Sequence, residues 1–582
     1  MKILENRPER YDTGINILSG GHAKRIKKQI IQNHVRPGMD ILDIGCGTGS
    51  LMIDAAQADA RIAGVDISKG MLAIARKRIA EKGMEDRITL YHAGAVEIGS
   101  LFAENRFDLI IATLVFSELY SEERALALHQ IKKLLKHDGT FVIAAEVPPA
   151  KLPQKVIHFL VRLPLSVFTY IIAQTGTKPF ARIAEEIADS GLRITSEERS
   201  FLDSFTIITA KKPMDDSSDQ KVLPRTKKPE DDFSFLKSLW DFIGRWFPNP
   251  VEPGLRIIGK PDRNAPVLLT SNFHLSVRRV EKALKGENAF LLVAPSNGIN
   301  VWCGACGGEL NTHSATTVIK TSRIDERVDH RKIVLPQFSA PGIDRGYLKK
   351  ETAMTGIFGP AYSKDLPLFL EDRETVREHN RAEFPLPFRL EMLLSMNFVV
   401  WFVIGIVTLS IDPKMFLPVS ATFWTAGFIL YAGFPVIPGN SGWLKAAALS
   451  AIEVIGVAAY SVFMSLPIFS HWKIMIALSG INMWLGFDLR GIVAGLPSEA
   501  EWLMHRLGMR SFGHIFSAGA FNPGKVNQDI SNCNNCRTCL MVCPKDVFKA
   551  VGKNMIRVYR PDACFSCNAC VTQCPEKALS LE

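Results

Sequence analysis

Ile41-Leu42-Asp43-Ile44-Gly45-Cys46-Gly47-Thr48-Gly49-Ser50 is an apolar run that breaks into a glycine loop and then opens a helical pattern. Glycines let the backbone approach a ligand closely, and the start of a helix offers unpaired amides. Working outward, apolar stretches at 40–44, 61–65, 109–113 and 140–145 alternate with amphipathic patterns, which predicts a parallel α/β domain. Val65-Asp66 closes the second stretch, where an acidic side chain can accept hydrogen bonds from ribose hydroxyls. Residues 135–140 read as a helix-to-strand turn. The glycine spacing alone fits a nicotinamide nucleotide fold as well.

In order and spacing, residues 1–212 resemble the class I S-adenosylmethionine-dependent methyltransferases, especially the ubiquinone-biosynthesis-like branch. The resemblance implies a Rossmann-like fold, with Asp43, Gly45, Gly47 and Gly49 around the methionine end of S-adenosylmethionine and Asp66 on its ribose. Where many relatives have an acidic residue beside the adenine, this chain has Ala93-Gly94-Ala95. Cys46 reads as a small loop residue rather than a nucleophile. The apolar stretch 156–173, interrupted by Arg162 and Pro164, reads as a lid or membrane-surface helix.

The whole chain has 582 residues, enough for about four domains. Its 47% apolar and 22% charged residues exclude a disordered or collagen-like protein. The net charge of +10 is spread out, without the basic-aromatic clustering of a nucleic-acid groove, so no nucleic-acid partner is expected. No secretory pattern occupies the first 30 residues, which predicts a cytoplasmic N-terminus. Residues 213–232 carry six acidic and four basic side chains and no aromatic, so 213–235 is expected to be a linker. A second α/β domain is expected over 236–385, with strands near 267–270, 290–294, 332–335 and 355–358.

The solvent then changes. Stretches 392–411 and 415–438 lack any charge, 446–469 holds only Glu453, and 470–487 only Lys473. About 20 apolar residues cross a bilayer core, so four transmembrane helices are expected over 388–490. Arg373, Arg377, Arg381, Arg389, Lys445, Arg490, Arg506 and Arg510 flank one side, against Lys414 and Lys473 on the other. That asymmetry puts both flanks in the cytoplasm of a multi-pass cell-membrane protein. Glu453 is expected to face a polar partner on another helix.

Beyond a further cytoplasmic linker at 491–528, the region 529–582 repeats C-x2-C-x2-C-x3-C-P, at Cys533-Cys536-Cys539-Cys543-Pro544 and Cys564-Cys567-Cys570-Cys574-Pro575. A zinc site or disulfide framework does not need this doubled pattern. The region resembles bacterial ferredoxins with two [4Fe–4S] clusters. Three thiolates of one run and the fourth of the other then hold each cluster. One cluster would use Cys533, Cys536, Cys539 and Cys574, the other Cys564, Cys567, Cys570 and Cys543.

The remaining cysteines lie in Asn300-Val301-Trp302-Cys303-Gly304-Ala305-Cys306-Gly307-Gly308. Alone, they read as a buried structural thiol, a redox dithiol or half a zinc site. An α/β domain, this motif in a loop before a helix, then Leu335-Pro336-Gln337 and Pro341-Gly342, then spans, together resemble the corrinoid protein of microbial mercury methylation. The ferredoxin region resembles that protein's partner. The resemblance implies a cobalamin-type corrinoid whose cobalt takes Cys303 as lower axial ligand, with Asn300, Val301 and Trp302 shaping a capping loop. Family members continue the motif Cys-Ala-Ala-Gly-Lys, whereas Cys306 and Gly307 close it here. Cys306 is therefore read as a substitute thiol that holds a soft metal or metalloid.

The combined expectation is a membrane-anchored, corrinoid- and iron–sulfur-dependent methyltransferase from an anaerobic prokaryote. It would draw on a low-potential electron donor, take its methyl group from S-adenosylmethionine, and use a thiophilic acceptor such as Hg(II). The alternatives are a methyltransferase acting on a separate small molecule, and a membrane electron-transfer protein with a degenerate corrinoid site.

Overall fold

A computed structural model of the chain describes residues 21–148, 182–200, 204–213, 226–227, 235–243, 248–372, 385–437, 442–487, 526–552, 555–564 and 566–581. The stretch 156–173, nearly all of the linker 213–235, most of 491–528, and Arg373, Arg377, Arg381, Arg490, Arg506 and Arg510 lie outside the described residues. Two compact units are formed, Met1–Thr226 with Thr316–Ile324, and Lys227–Ala315 with Asp325–Glu582.

In the first unit seven strands form one sheet, ordered β3-β2-β1-β4-β5-β7-β6. They are β1 (Asp40–Ile44), β2 (Arg61–Asp66), β3 (Ile88–His92), β4 (Phe107–Thr113), β5 (Leu135–Glu146), β6 (Arg193–Ser200) and β7 (Phe205–Lys211). The first five run parallel. Strand β7 pairs antiparallel with both β5 and β6. A nicotinamide-binding sheet is mostly parallel and takes the order 3-2-1-4-5-6, and the antiparallel β7 inserted between β5 and β6 departs from that order. Alternate residues of the central strands feed two cores: Leu42, Ile110 and Phe141 on one face, Ile41, Leu109 and Val142 on the other. A strand buried on both faces reads as a continuous apolar run, which is why residues 40–44 stand out. Residues 135–140, expected as a turn, are the irregular start of β5: the register shifts between Phe107 and Leu109, and Asp138 has φ 63°.

The second sheet has the order β13-β12-β10-β11-β9-β8. Its strands are β8 (Thr226–Lys227), β9 (Gly254–Ile258), β10 (Val267–Ser271), β11 (Ala289–Ala294), β12 (Lys332–Leu335) and β13 (Thr355–Phe358). Strands β10 to β13 are parallel and β9 runs antiparallel to β11. Strand β9 carries no sequence expectation, because a charge interrupts its apolar run. Arg256 is only 1% exposed and reaches Glu281 at 3.3 Å.

Among the described residues three helices are long and apolar enough to cross a membrane: Leu386–Ile411, Pro413–Ala432 (its first turn 3-10) and Gly442–Phe463. The fourth expected span holds the helix Trp472–Phe487, which runs to the edge of the described residues. Asn482 on this helix donates to Glu453 at 2.7 Å and to Ser450 at 3.2 Å, giving the intramembrane carboxylate a polar neighbour. The first helix begins at Leu386, earlier than its uncharged run. There Arg389 donates to the carbonyls of Tyr431 and Ala432 at 3.1 and 2.7 Å. These are the last carbonyls of the second helix, where a cation is favoured. Glu391 accepts two hydrogen bonds from Arg279 at 2.7 and 2.9 Å, and Phe388 stacks on Tyr362. The α/β domain is thereby seated on the first turn of the first apolar helix.

The C-terminal segment pairs β14 (Val526–Gln528) with β17 (Leu579–Leu581), and β15 (Phe548–Val551) with β16 (Met555–Val558). Short helices Thr538–Val542 and Ala569–Gln573 carry the third cysteine of each run, Cys539 and Cys570.

Candidate functional site

Strand β1 delivers its backbone into a loop where Gly45, Gly47 and Gly49 all have positive φ, at 73°, 54° and 81°. L side chains rarely adopt that region, so the three glycines fix the loop's shape. Asp66 at the end of β2 ties it down, accepting from the amides of Gly47 and Ser68 at 2.8 Å each. Asp43 is 1% exposed and its Oδ1 has no hydrogen-bond partner. Burial pushes its carboxyl up to about 7. A Cβ added at Gly47 would meet nothing within 4 Å, so there is open space over the loop, and one oxygen of the Asp43 carboxyl lacks a donor. That combination fits the ammonium and carboxylate of an amino-acid ligand. Burial, reinforced by Asp43 and Asp66, drives the Cys46 thiol far up, which makes it an inert packing group. Near Ala93-Gly94-Ala95, Glu97 accepts from the Gly94 amide at 2.6 Å and is 1% exposed. The sequence reading missed this buried acid.

In the second sheet the carboxyl ends of the parallel strands gather the central motif. Ligands of open α/β sheets bind at that edge, where the strand order reverses, here between β10 and β12. The motif departs from the loop expected of it: Val301–Gly307 is a helix, and Asn300 is its N-cap, accepting from the Cys303 amide at 2.9 Å. An asparagine at that position supplies the acceptor that a first-turn amide needs. Cys303 and Cys306 are both partly exposed. Spaced by three, they share one face of the helix. Trp302 packs edge-on against Phe338, with ring centroids 5.5 Å apart.

Two further features hold this helix. Asn272 Oδ1, after β10, accepts from Ser296 N, Ser296 Oγ and Gly298 N at 2.8–2.9 Å, fixing the approach to the motif. Gly342 lies so close that an added Cβ would stand 2.2 Å from Leu310 O and 2.9 Å from Ala305 O. The stretch 335–342, singled out in the sequence, is thus the clasp that presses on the cysteine helix. Asn272 gave no comparable signal.

The eight C-terminal cysteines surround two cavities. One is lined by Cys533, Cys536, Cys539 and Cys574. The other is lined by Cys543, Cys564, Cys567 and Cys570. Among the described residues no three such side chains converge on a single metal ion. The thiols gather instead as two sets of four, each around its own space, which fits a cluster in each. Burial pushes the Cys539 and Cys567 thiols up to about 12, so an occupant must displace their protons.

This segment is bonded to the clasp. Gln573, 5% exposed, donates to the carbonyls of Ala340 and Ile343 at 2.8 and 2.6 Å. Gln337 donates to Met541 O at 3.2 Å and Arg345 to Thr538 Oγ1 at 3.2 Å. Ala340 is fully buried within the apolar core of the cysteine segment, beside Val542 and Ala569. None of these contacts was foreseen from the sequence.

Comparison with known proteins divides the chain along the same lines. Residues 36–163 match the family described as Methyltransferase domain. Residues 245–370 match the CO dehydrogenase/acetyl-CoA synthase delta subunit family, and 532–579 the 4Fe-4S dicluster domain. The demethylmenaquinone methyltransferase of Symbiobacterium thermophilum is 35% identical over 145 residues, 24% of this chain and 56% of that protein. The gamma subunit of the acetyl-CoA decarbonylase/synthase complex of Methanocaldococcus jannaschii is 36% identical over 127 residues, 22% of this chain and 26% of that protein. The chain therefore spans about half the length of the first relative and about a quarter of the second. Among solved structures, magnesium protoporphyrin IX methyltransferase from Synechocystis aligns at 20% identity and TM-score 0.28, over 34% of this chain and 85% of that one. The chain joins a methyltransferase domain, a domain like the acetyl-CoA synthase delta subunit and a 4Fe-4S dicluster domain.

Proposed function

We propose that this chain is a membrane-anchored methyltransferase that moves a methyl group by way of a corrinoid to a thiophilic metal or metalloid, Hg(II) being the reference acceptor. One observation carries the reading: the helix with Cys303 and Cys306 stands at the ligand-binding edge of the second sheet and is clasped by the stretch that the cysteine-rich segment docks on. When bound, S-adenosylmethionine supplies an activated methyl group, the corrinoid a cobalt centre able to accept and pass it on, and two [4Fe–4S] clusters single electrons.

The chain's own residues have distinct tasks. Asp43 receives the methionine ammonium, Gly45, Gly47 and Gly49 leave room for the backbone's approach, and Asp66 serves the ribose. Cys303 offers a sulfur donor to cobalt, positioned by Asn300 through its amide, with Val301 and Trp302 setting the wall beside it. As a thiolate, Cys303 would be a strong donor and would make the bound metal more electron-rich. Cys306, on the same helix face, holds the soft acceptor. The two cysteine sets hold the clusters in the crossed arrangement that the cavity linings support. We read residues 1–212, 236–385, 388–490 and 529–582 as the four functional parts, with four passes and both flanks in the cytoplasm.

The test uses the full chain, purified anaerobically and given a low-potential reductant together with S-adenosylmethionine labelled in its methyl group. Label that stays with the extracted corrinoid, and moves to methylmercury when Hg(II) is added, is the expected result. Loss of both transfers in Cys303→Ala, with clusters intact, is expected too. A wild-type chain that binds no corrinoid would overturn the reading. The 35% identity to a demethylmenaquinone methyltransferase favours a second reading, in which the first unit methylates a separate small molecule. Label appearing only in such a product, and never with the corrinoid, would select it.

A further inference from the structure

The docked cysteine segment brings one cation of the α/β domain up to one of the two thiol cavities. Arg345 opens the helix Arg345–Thr352, whose N-cap Asp344 accepts from the amides of Gly346 and Tyr347 at 2.7 and 3.1 Å. Its guanidinium lies over the Phe358 ring at 5.4 Å and donates one N–H to Thr538 Oγ1 at 3.2 Å. The same hydroxyl oxygen is 3.4 Å from Cys536 Sγ. Arg345 Nε is buried without a hydrogen-bond partner. Burying part of a cation without a partner is costly, and an anionic neighbour would offset that cost. The facing cavity is the one lined by Cys533, Cys536, Cys539 and Cys574.

A cluster's reduction potential follows its net charge, the hydrogen bonds to its sulfurs and its exposure to water. Each reduction adds a negative charge, so a fixed cation nearby favours the reduced state. We propose that Arg345 is a redox-positioning residue, reaching from the α/β domain to raise the potential of the cluster held by Cys533, Cys536, Cys539 and Cys574. This rests on the cluster reading given above. Once Cys536 binds iron and has lost its proton, the Thr538 hydroxyl can accept from Arg345 and donate to the sulfur, relaying the polarisation. The other charged side chains around this cavity, Arg537 and Glu576, belong to the cysteine segment itself. The second cavity has its own cation, Lys545, whose charge interacts with Cys543. Arg345 is distinct because it acts only while the two domains are docked.

The experiment is an EPR-monitored redox titration of the full chain beside Arg345→Met and Arg345→Lys. In Arg345→Met one cluster is expected to titrate at lower potential while the other stays where it was. Arg345→Lys, which keeps the charge, should recover most of the shift, and Thr538→Val should lower the same cluster by a smaller amount. Two unmoved clusters in Arg345→Met, or two that move together, would overturn the proposal and leave the cluster reading standing. A wild-type chain without two clusters would overturn both.

Discussion

Replacing Gly342 by alanine tests whether the clasp holds the cysteine helix. The new Cβ would sit 2.2 Å from Leu310 O, 2.9 Å from Ala305 O and 3.0 Å from Ala305 Cα. All three are backbone atoms, so no side chain can swing aside, and the stretch must retreat by about 1 Å to reach ordinary contact. Overpacking of this kind costs roughly 1–3 kcal/mol. The retreat also strains Thr312, which donates to Gly342 O at 3.4 Å and accepts from Asp344 N at 2.9 Å. A local loss of about 3 kcal/mol is therefore expected, or about a hundredfold rise in local opening at 1.4 kcal/mol per tenfold. Amide hydrogen exchange on the full chain reads this directly. The amides of Gly304 and Leu310, bonded to Asn300 O and Gly304 O at 2.8 and 2.9 Å, should exchange about a hundredfold faster. Gly308→Ala is the control. Its Cβ would meet nothing within 4 Å although φ is +87°, so only about 1–2 kcal/mol of backbone strain applies. Unchanged exchange at Gly304 and Leu310 in Gly342→Ala would refute the reasoning.

Other outcomes follow from the same geometry. The Asp43 carboxyl is raised to about 7 by burial, so the folded chain holds a proton that the unfolded chain releases near pH 4. Without ligand, the first unit should lose stability as pH rises from about 4 to about 7. S-adenosylmethionine should bind more tightly over that range, releasing a proton detectable by calorimetry in buffers of different ionisation enthalpy. Asp43→Asn should weaken binding by about tenfold to a hundredfold, the value of a charged hydrogen bond, and should abolish the proton release. Cys574→Ala should remove the cluster of the first cavity and Cys570→Ala that of the second, each cutting iron content by about half. Arg256→Met leaves Glu281 buried without its cation, which costs about 3–5 kcal/mol. Denaturant unfolding of the full chain should show an early transition that Arg256→Met with Glu281→Leu largely restores.

The parts legible in the sequence are those that local pattern sets. The apolar run 40–44 is buried on both sheet faces, and no partner is needed to recognise it. The doubled cysteine spacing encodes its cavities in the same local way. Strand β9 was hidden because Arg256 is neutralised by Glu281, which lies 25 residues on, and nothing near Arg256 announces that pairing. The fourth apolar helix starts at Trp472, later than expected, because Ser470 and His471 are polar without being Lys, Arg, Asp or Glu and so did not break the stretch. The docking of Gln573 on Ala340 and Ile343 spans 233 and 230 residues, and such non-local contacts leave no periodic trace. Cys303 was visible as a motif, but the helix around it depends on the Asn300 cap and on Gly342, far along the chain.

Ala340 belongs to the α/β domain yet is packed into the core of the cysteine-rich segment, and this has a kinetic consequence. A ferredoxin supplied as a separate molecule must find its acceptor at each turnover, so its rate falls with dilution. A tethered, docked module works instead at an effective concentration on the order of millimolar. Internal electron delivery in this chain should then be first order, the same in a crowded membrane as in a sparse one.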